Sequence, residues 1–246
     1  MDPLTIAAAS GLRSRLQALD LLANNLANSA TSGYKSDRES YGLYNSPDAS
    51  NSGNPGMDSS LPVVERQWTD FAQGTLQPTG SEFDIALSGR GFLTVNGPSG
   101  VLYTRNGSLQ VSSEGVLITS EGFAVRATGG GTIRITSGKP VEISKDGTVR
   151  QDNRPLGQLE IVDFKKTDSL RKVSGVCFRS VDPKNSPVPA GNVQVEQGKV
   201  EGSNVAVPDS AMRLVGVMRQ FEMLQKAVSM GVDMNRKAIE EVARVG

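Results

Sequence analysis

Apolar residues recur three and four positions apart near both ends of the chain, and they alternate in short runs between. Ala9, Leu12, Leu16, Leu19, Ala23, Leu26 and Ala30 have the spacing of one helix face, while Arg13, Arg15, Gln17 and Asp20 fall elsewhere around the axis. Asp2 and Pro3 are start signals for that helix, because the carboxylate accepts orphan backbone N–H groups and proline suits the first helical position. The run from Asn24 to Ser32 lowers helical propensity step by step until Gly33 can supply a left-handed stop. Pro208 and Asp209 open a second helix, where Leu214, Val217, Phe221, Leu224 and Val228 repeat the same spacing. That register continues weakly through Gly231, Asn235, Ala238 and Val242.

Between the helices the period drops to two. Runs such as Phe83–Leu87, Gly91–Val95, Leu109–Val111, Val116–Ile118, Thr132–Ile135, Val141–Ile143 and Leu159–Phe164 read as short strands. Asn96-Gly97, Asn106-Gly107, Glu114-Gly115, Glu121-Gly122 and Asp146-Gly147 punctuate them, several as pairs suited to tight hairpins. Residues 36 to about 62 crowd Ser, Asn, Asp, Gly and Pro with little to bury, which predicts a long mobile connector. The fold class is therefore α+β, with terminal helices of coiled-coil type bracketing a mainly antiparallel all-β domain. The expected domains are 1–35 with 206–246 as a terminal helical assembly domain, 36–80 as connector and 81–205 as the β domain.

Composition narrows the chemistry. Twenty-six Lys and Arg balance 26 Asp and Glu, so no overall field gathers nucleic acid or an anionic membrane surface. Histidine is absent, which removes the usual metal ligand, the usual general base and every Ser-His or Cys-His nucleophile. The lone Cys177 cannot pair internally, and its alternating surroundings make it a small buried strand residue. No stretch approaches the roughly 20 apolar residues of a membrane span, and the first residues lack a cleavable signal pattern. Glu82 and Asp84 flank a strand and are the only pair that suggests a glycosidase-like site; solvated surface carboxylates are the simpler reading. We expect no enzyme, no catalytic residues, no cofactor and no metal.

Each helical stripe can pack within the molecule or against another one. The polar connector and the lack of a third helix to close a bundle favour intermolecular packing, because an isolated helix pair buries little. The expected subunit interface is Leu12, Leu16, Leu19, Ala23 and Leu26 on the first helix, with Leu214, Val217, Phe221, Leu224 and Val228 on the second.

Four stretches resemble the axial proteins of the bacterial flagellum, the rod and hook family, and the match runs through almost the whole chain. The first contains Asn24, Asn25, Leu26, Ala27 and Asn28, followed by Thr31-Ser-Gly33-Tyr-Lys35. The second is Phe83–Phe92, and the third is Tyr103, Thr104, Arg105, Asn106 and Gly107. The fourth is Gln197–Val205, with Glu201, Ser203, Asn204 and Val205. The chain departs from the family at Val207–Met212, where an acidic helix-forming stretch is usual. The resemblance implies export by the flagellar type III apparatus without a cleaved signal peptide. It also implies stacking with copies of itself and other rod proteins in the rod that crosses the periplasm. The compact β domain and Arg219–Met223 point within the family to the proximal rod, with the distal rod as the second reading. A secreted β-rich carbohydrate-binding or carbohydrate-cleaving protein is the alternative of a different class, and a helical adaptor that does not polymerise is a third.

Overall fold

The computed structural model describes residues 3–45, 60–136 and 138–245. These group into two compact units. One holds the residues up to 27, 37–68 and those from 206; the other holds 28–36 and 69–205.

In the helical unit, α1 (Pro3–Ala27) and α2 (Val207–Val245) pack against each other, and β1 (Asp37–Asn45) pairs with β2 (Ser60–Thr69). At about 1.5 Å per residue, α1 is roughly 37 Å long and α2 roughly 58 Å. The side of α1 that is buried is Gly11, Ser14, Ala18, Leu22 and Asn25. These residues are mostly small, so the helices approach closely: a methyl group on Gly11 would sit 3.5 Å from Leu224 Cδ1. The leucine stripe expected from heptad spacing points elsewhere. Leu16 is 48% exposed, Ala23 is exposed, and Leu12, Leu19 and Leu26 are half-buried. On α2 the expected stripe is the covered side, with Leu214, Val217, Phe221, Leu224 and Val228 all half-buried.

Two departures from the sequence-based division follow. Over its described part the expected connector carries β1 and β2, because paired strands satisfy backbone groups even where few apolar residues mark them. The centre of that stretch, residues 46–59, lies outside the described residues. Residues 28–36 and 69–80, expected in the helical domain and the connector, cluster with the β unit.

The β unit runs from β3 (Leu76–Pro78) through β4 (Ile85–Gly89), β5 (Phe92–Gly97), β6 (Gly100–Thr104), β7 (Leu109–Val111), β8 (Leu117–Thr119) and β9 (Ala124–Val125). It continues through β10 (Val141–Ile143), β11 (Thr148–Gln151), β12 (Arg154–Gln158), β13 (Ile161–Asp163), β14 (Leu170–Ser174) and β15 (Cys177–Ser180). The last strands are β16 (Val188–Pro189), β17 (Val193–Gln197) and β18 (Lys199–Glu201). Every pairing whose register is described is antiparallel. The largest sheet has nine strands, in the order β14-β15-β6-β5-β9-β8-β7 with β13 and β16 branching from β5. Two short pairs close the unit across long sequence distances, β4 with β17 and β3 with β18.

One core cluster is aliphatic, with Ile85, Leu93, Val95, Leu117, Val125, Ile133 and Val149 fully covered. Five aromatic rings gather in a second cluster around Phe92, Phe164 and Phe178, where Phe71 meets Phe178 edge-on at 5.0 Å and Tyr103 meets Phe164 at 4.8 Å. The stretch 132–135 forms only isolated bridges, from Arg126 to Thr132 and from Val116 to Arg134. Asn106-Gly107 is a buried corner, since β6 pairs with β5 and β15 whereas β7 pairs with β8. Gly107 is required there because a methyl group would lie 1.8 Å from the Ile85 carbonyl oxygen.

Candidate functional site

Three of the four motif stretches meet inside the β unit around one carboxylate. After α1 the chain turns through Asn28–Tyr34, with Thr31 N–H donating to Asn28 O at 3.1 Å and Tyr34 N–H to Thr31 O at 3.2 Å. Gly33 has φ +70° and donates its N–H to Glu201 O at 2.7 Å. A side chain here is excluded twice over, because its Cβ would lie 2.3 Å from Asn106 N. The turn delivers Tyr34 and Lys35 into the interior, where Lys35 is 0% exposed.

Lys35 Nζ donates to Glu201 Oε1 and, at 2.8 Å, to Ala72 O. Gly74 N–H donates to the same Oε1 at 2.9 Å. Arg105 Nε lies 3.2 Å from Glu201 Oε2, an ion contact without hydrogen-bond alignment. The guanidinium also donates to Gly89 O at 2.7 Å. Two buried cations thus share one buried carboxylate. Burial pushes both Lys35 and Arg105 below their ordinary values, with the Glu201 charge opposing the shift in each. Lys172 on β14 donates to Lys35 O at 2.9 Å and stands 4.2 Å above the Tyr34 ring.

Asn204 ties the neighbouring backbones together. Its Oδ1 accepts Ser36 N–H at 2.7 Å, and its Nδ2 donates to Asp70 O at 2.7 Å and Ala72 O at 3.1 Å. Asp70 N–H donates to Ser36 O at 2.8 Å. The segments around 33–36, 70–74 and 201–204 are therefore fastened to one another beside the places where the chain passes between its two units.

The remaining motif residues divide by unit. In the helical unit Asn24 and Ala27 are exposed and Leu26 is half-buried, while Asn25 is buried and bonds to Asp37. In the β unit Thr104 Oγ1 donates to Val176 O and accepts Asn106 N–H, both at 3.0 Å. Asn106 Nδ2 donates to Ser120 Oγ at 3.0 Å, and Ser203 Oγ accepts Val205 N–H at 3.3 Å. The sequence-derived residues omit Asp70, Ala72, Gly74 and Lys172, and the motif that contains Lys35 gives it no partner. Lys35 had a signal, a basic residue in one motif with an acidic one, Glu201, in another; the others contribute backbone groups or sit outside every motif.

The arrangement fastens chain segments to one another. Glu82 Oε2 accepts Val141 N–H at 3.1 Å and Asp84 Oδ1 accepts the Ser108 hydroxyl at 3.2 Å, so both carboxylates bind strand-edge groups. Among the described residues no cluster of His, Cys, Asp and Glu could hold a metal ion, and no helix is long and apolar enough to cross a membrane.

Family profiles match the chain in the same order as these segments. Residues 7–35 match the flagella basal body rod protein profile, 86–151 the flagellar hook protein FlgE/F/G D1 domain, and 196–241 the flagellar basal body rod FlgEFG protein C-terminal profile. The flagellar basal-body rod protein FlgF of Caulobacter vibrioides is 30% identical over 232 residues, covering 92% of each chain. The chain belongs to the flagellar basal-body rod protein family. Rod proteins named FlgG are similar at 28%: that of Bacillus subtilis over 89% of this chain and 91% of its own, and that of Buchnera aphidicola over 93% and 95%. Membership in the rod family assigns the chain to the flagellar basal body. The rod-protein profile covering 7–35 ends at Lys35, the D1 profile takes in Arg105, and the C-terminal profile takes in Glu201 and Asn204, so the buried cluster joins three separately matched segments.

Proposed function

We propose that this protein is a structural subunit of the proximal flagellar rod, without catalytic activity, that joins copies of itself and other rod proteins through its terminal helices. The observation that carries the reading is the leucine stripe of α1. Leu12, Leu16, Leu19, Ala23 and Leu26 keep coiled-coil spacing yet are not the side of α1 that is buried. On α2 the stripe from Leu214 to Val228 holds the helix pair, while Met212, Met223, Met230 and Met234 fall within an arc of about 40° and stay exposed. Both helices thus carry a second apolar face, and neighbouring subunits are the natural cover for such faces. Passage through the flagellar type III export apparatus and a rod position crossing the periplasm complete the reading. The proximal assignment rests on the higher identity to FlgF; a distal position is the second reading, from the FlgG relatives.

The test is Leu16→Asp in the full chain. Sedimentation over a concentration series should show loss of self-association, and rod completion should fail, while thermal unfolding of the β unit stays where it was. A variant that still assembles removes the stripe from the interface. Complementation of strains lacking the proximal or the distal rod protein decides between the two positions.

A further inference from the structure

We propose that Glu201 is the key of a latch: the seam of the β unit closes last, after the rate-limiting step of folding, and Glu201 seated between Lys35 and Arg105 holds it shut. The first support is topology. The hairpins β5–β6, β7–β8, β8–β9, β10–β11–β12 and β14–β15 join strands adjacent in sequence. Only a few pairings span the unit, and the two longest, β4 with β17 and β3 with β18, bring residues 76–89 to 193–201. Closing long loops is slow and entropically unfavourable until contacts reward it, so local hairpins precede this seam.

The second support is charge. Lys35 and Glu201 are separated by 166 positions, and Glu201 is the last residue of β18. That one side chain is the shared anion for two cations, which are 0% and 4% exposed in the closed unit. Before it arrives, burying Lys35 and Arg105 would strand two charges, so both remain hydrated and the seam stays unzipped. When it arrives, its carboxylate takes Lys35, Arg105 and Gly74 N–H, and its own carbonyl takes Gly33 N–H. Asn204 then fastens Ser36, Asp70 and Ala72 over the seated ion group. The chain has a reporter for this step, because Cys177 in β15 is buried in the central sheet of the same unit.

The experiment follows unfolding and refolding of the full chain in urea, with pulses of a thiol reagent reading the protection of Cys177. Glu201→Gln keeps the shape and removes the anion. It should speed loss of protection by about a hundredfold or more and leave the refolding rate within about twofold, the pattern of a contact absent from the folding transition state. Val95→Ala in β5 is the reference and should slow refolding severalfold. Lys35→Met, with only one cation left beside Glu201, should speed unfolding less and also spare refolding. It applies the same criterion if Glu201→Gln does not fold. The double variant Lys35→Met/Glu201→Gln should unfold more slowly than Glu201→Gln alone, because one of the two stranded cations is gone. Refolding that slows in proportion to the lost stability, or an absence of rescue in the double variant, overturns the latch.

Discussion

Asn25 on α1 and Asp37 on β1 bond to each other as two peptide groups do in a sheet: Asn25 Nδ2 donates to Asp37 O at 2.8 Å, and Asp37 N–H donates to Asn25 Oδ1 at 3.0 Å. A buried amide near the end of α1 thereby stands in for a strand and sets where β1 begins. Asn25→Ala removes both bonds and leaves two backbone groups without their partner. We expect a loss of about 1–3 kcal/mol in the helical unit, read from helical ellipticity on thermal unfolding. Asn25→Asp should be worse, because a carboxylate cannot donate to the Asp37 carbonyl. A helical unit of unchanged stability would show that the bond pair carries no weight.

Three glycines should separate by the space around them. Gly33→Ala meets both a left-handed backbone and the Asn106 amide, and Gly107→Ala meets the Ile85 carbonyl. Each should lower the stability of the β unit by about 3 kcal/mol or more, since backbone rather than a flexible side chain stands in the way. Gly122, at φ +86° but with nothing within 4 Å of where a methyl would sit, should lose only about 1 kcal/mol on change to Ala. Urea midpoints of the three variants check the order.

The buried lysine makes stability depend on pH. Burial lowers the Lys35 value from its ordinary 10.5, so between the lowered value and 10.5 the unfolded chain binds the extra proton. Stability attributable to this group therefore rises with pH across that window and is smallest at and below its lower end. Comparing wild type with Lys35→Met, the urea midpoint difference should shift in favour of wild type as pH climbs toward 10.5. A difference that stays flat would mean that the folded and unfolded chains hold this proton equally.

Burial pushes the Cys177 thiol up to about 11. At pH 8 that leaves roughly one thiolate in a thousand, about a hundredfold less than an ordinary cysteine supplies. A disulfide reagent should leave the native protein unmodified on the timescale that labels it fully in urea. Rapid labelling without denaturant would place the thiol at the surface.

Some of this was legible in the residues alone. The 3–4 spacing from Leu12 to Leu26 and from Leu214 to Val228 marked two helices, and period-two runs with Gly turns marked the β region, because both patterns repeat within one element. The strands β1 and β2 were not visible, since the residues of Asp37–Asn45 and Ser60–Thr69 show no sustained alternation of apolar and polar types. The type of the β11–β12 turn also escaped: Asp152 and Asn153 both adopt positive φ, at 51° and 64°, without the glycine that usually signals such a hairpin.

What the sequence by itself determined is the set of local elements and the motifs they carry, since helical stripes, turn chemistry and caps depend on neighbours a few positions apart. Tertiary structure alone decided which stripe of α1 is buried, because close approach favours Gly11, Ser14 and Ala18 over the larger leucines. It alone decided that Lys35, Arg105 and Glu201 share one dry site, since contact between residues 166 positions apart follows from how the sheets close and leaves no period in the chain.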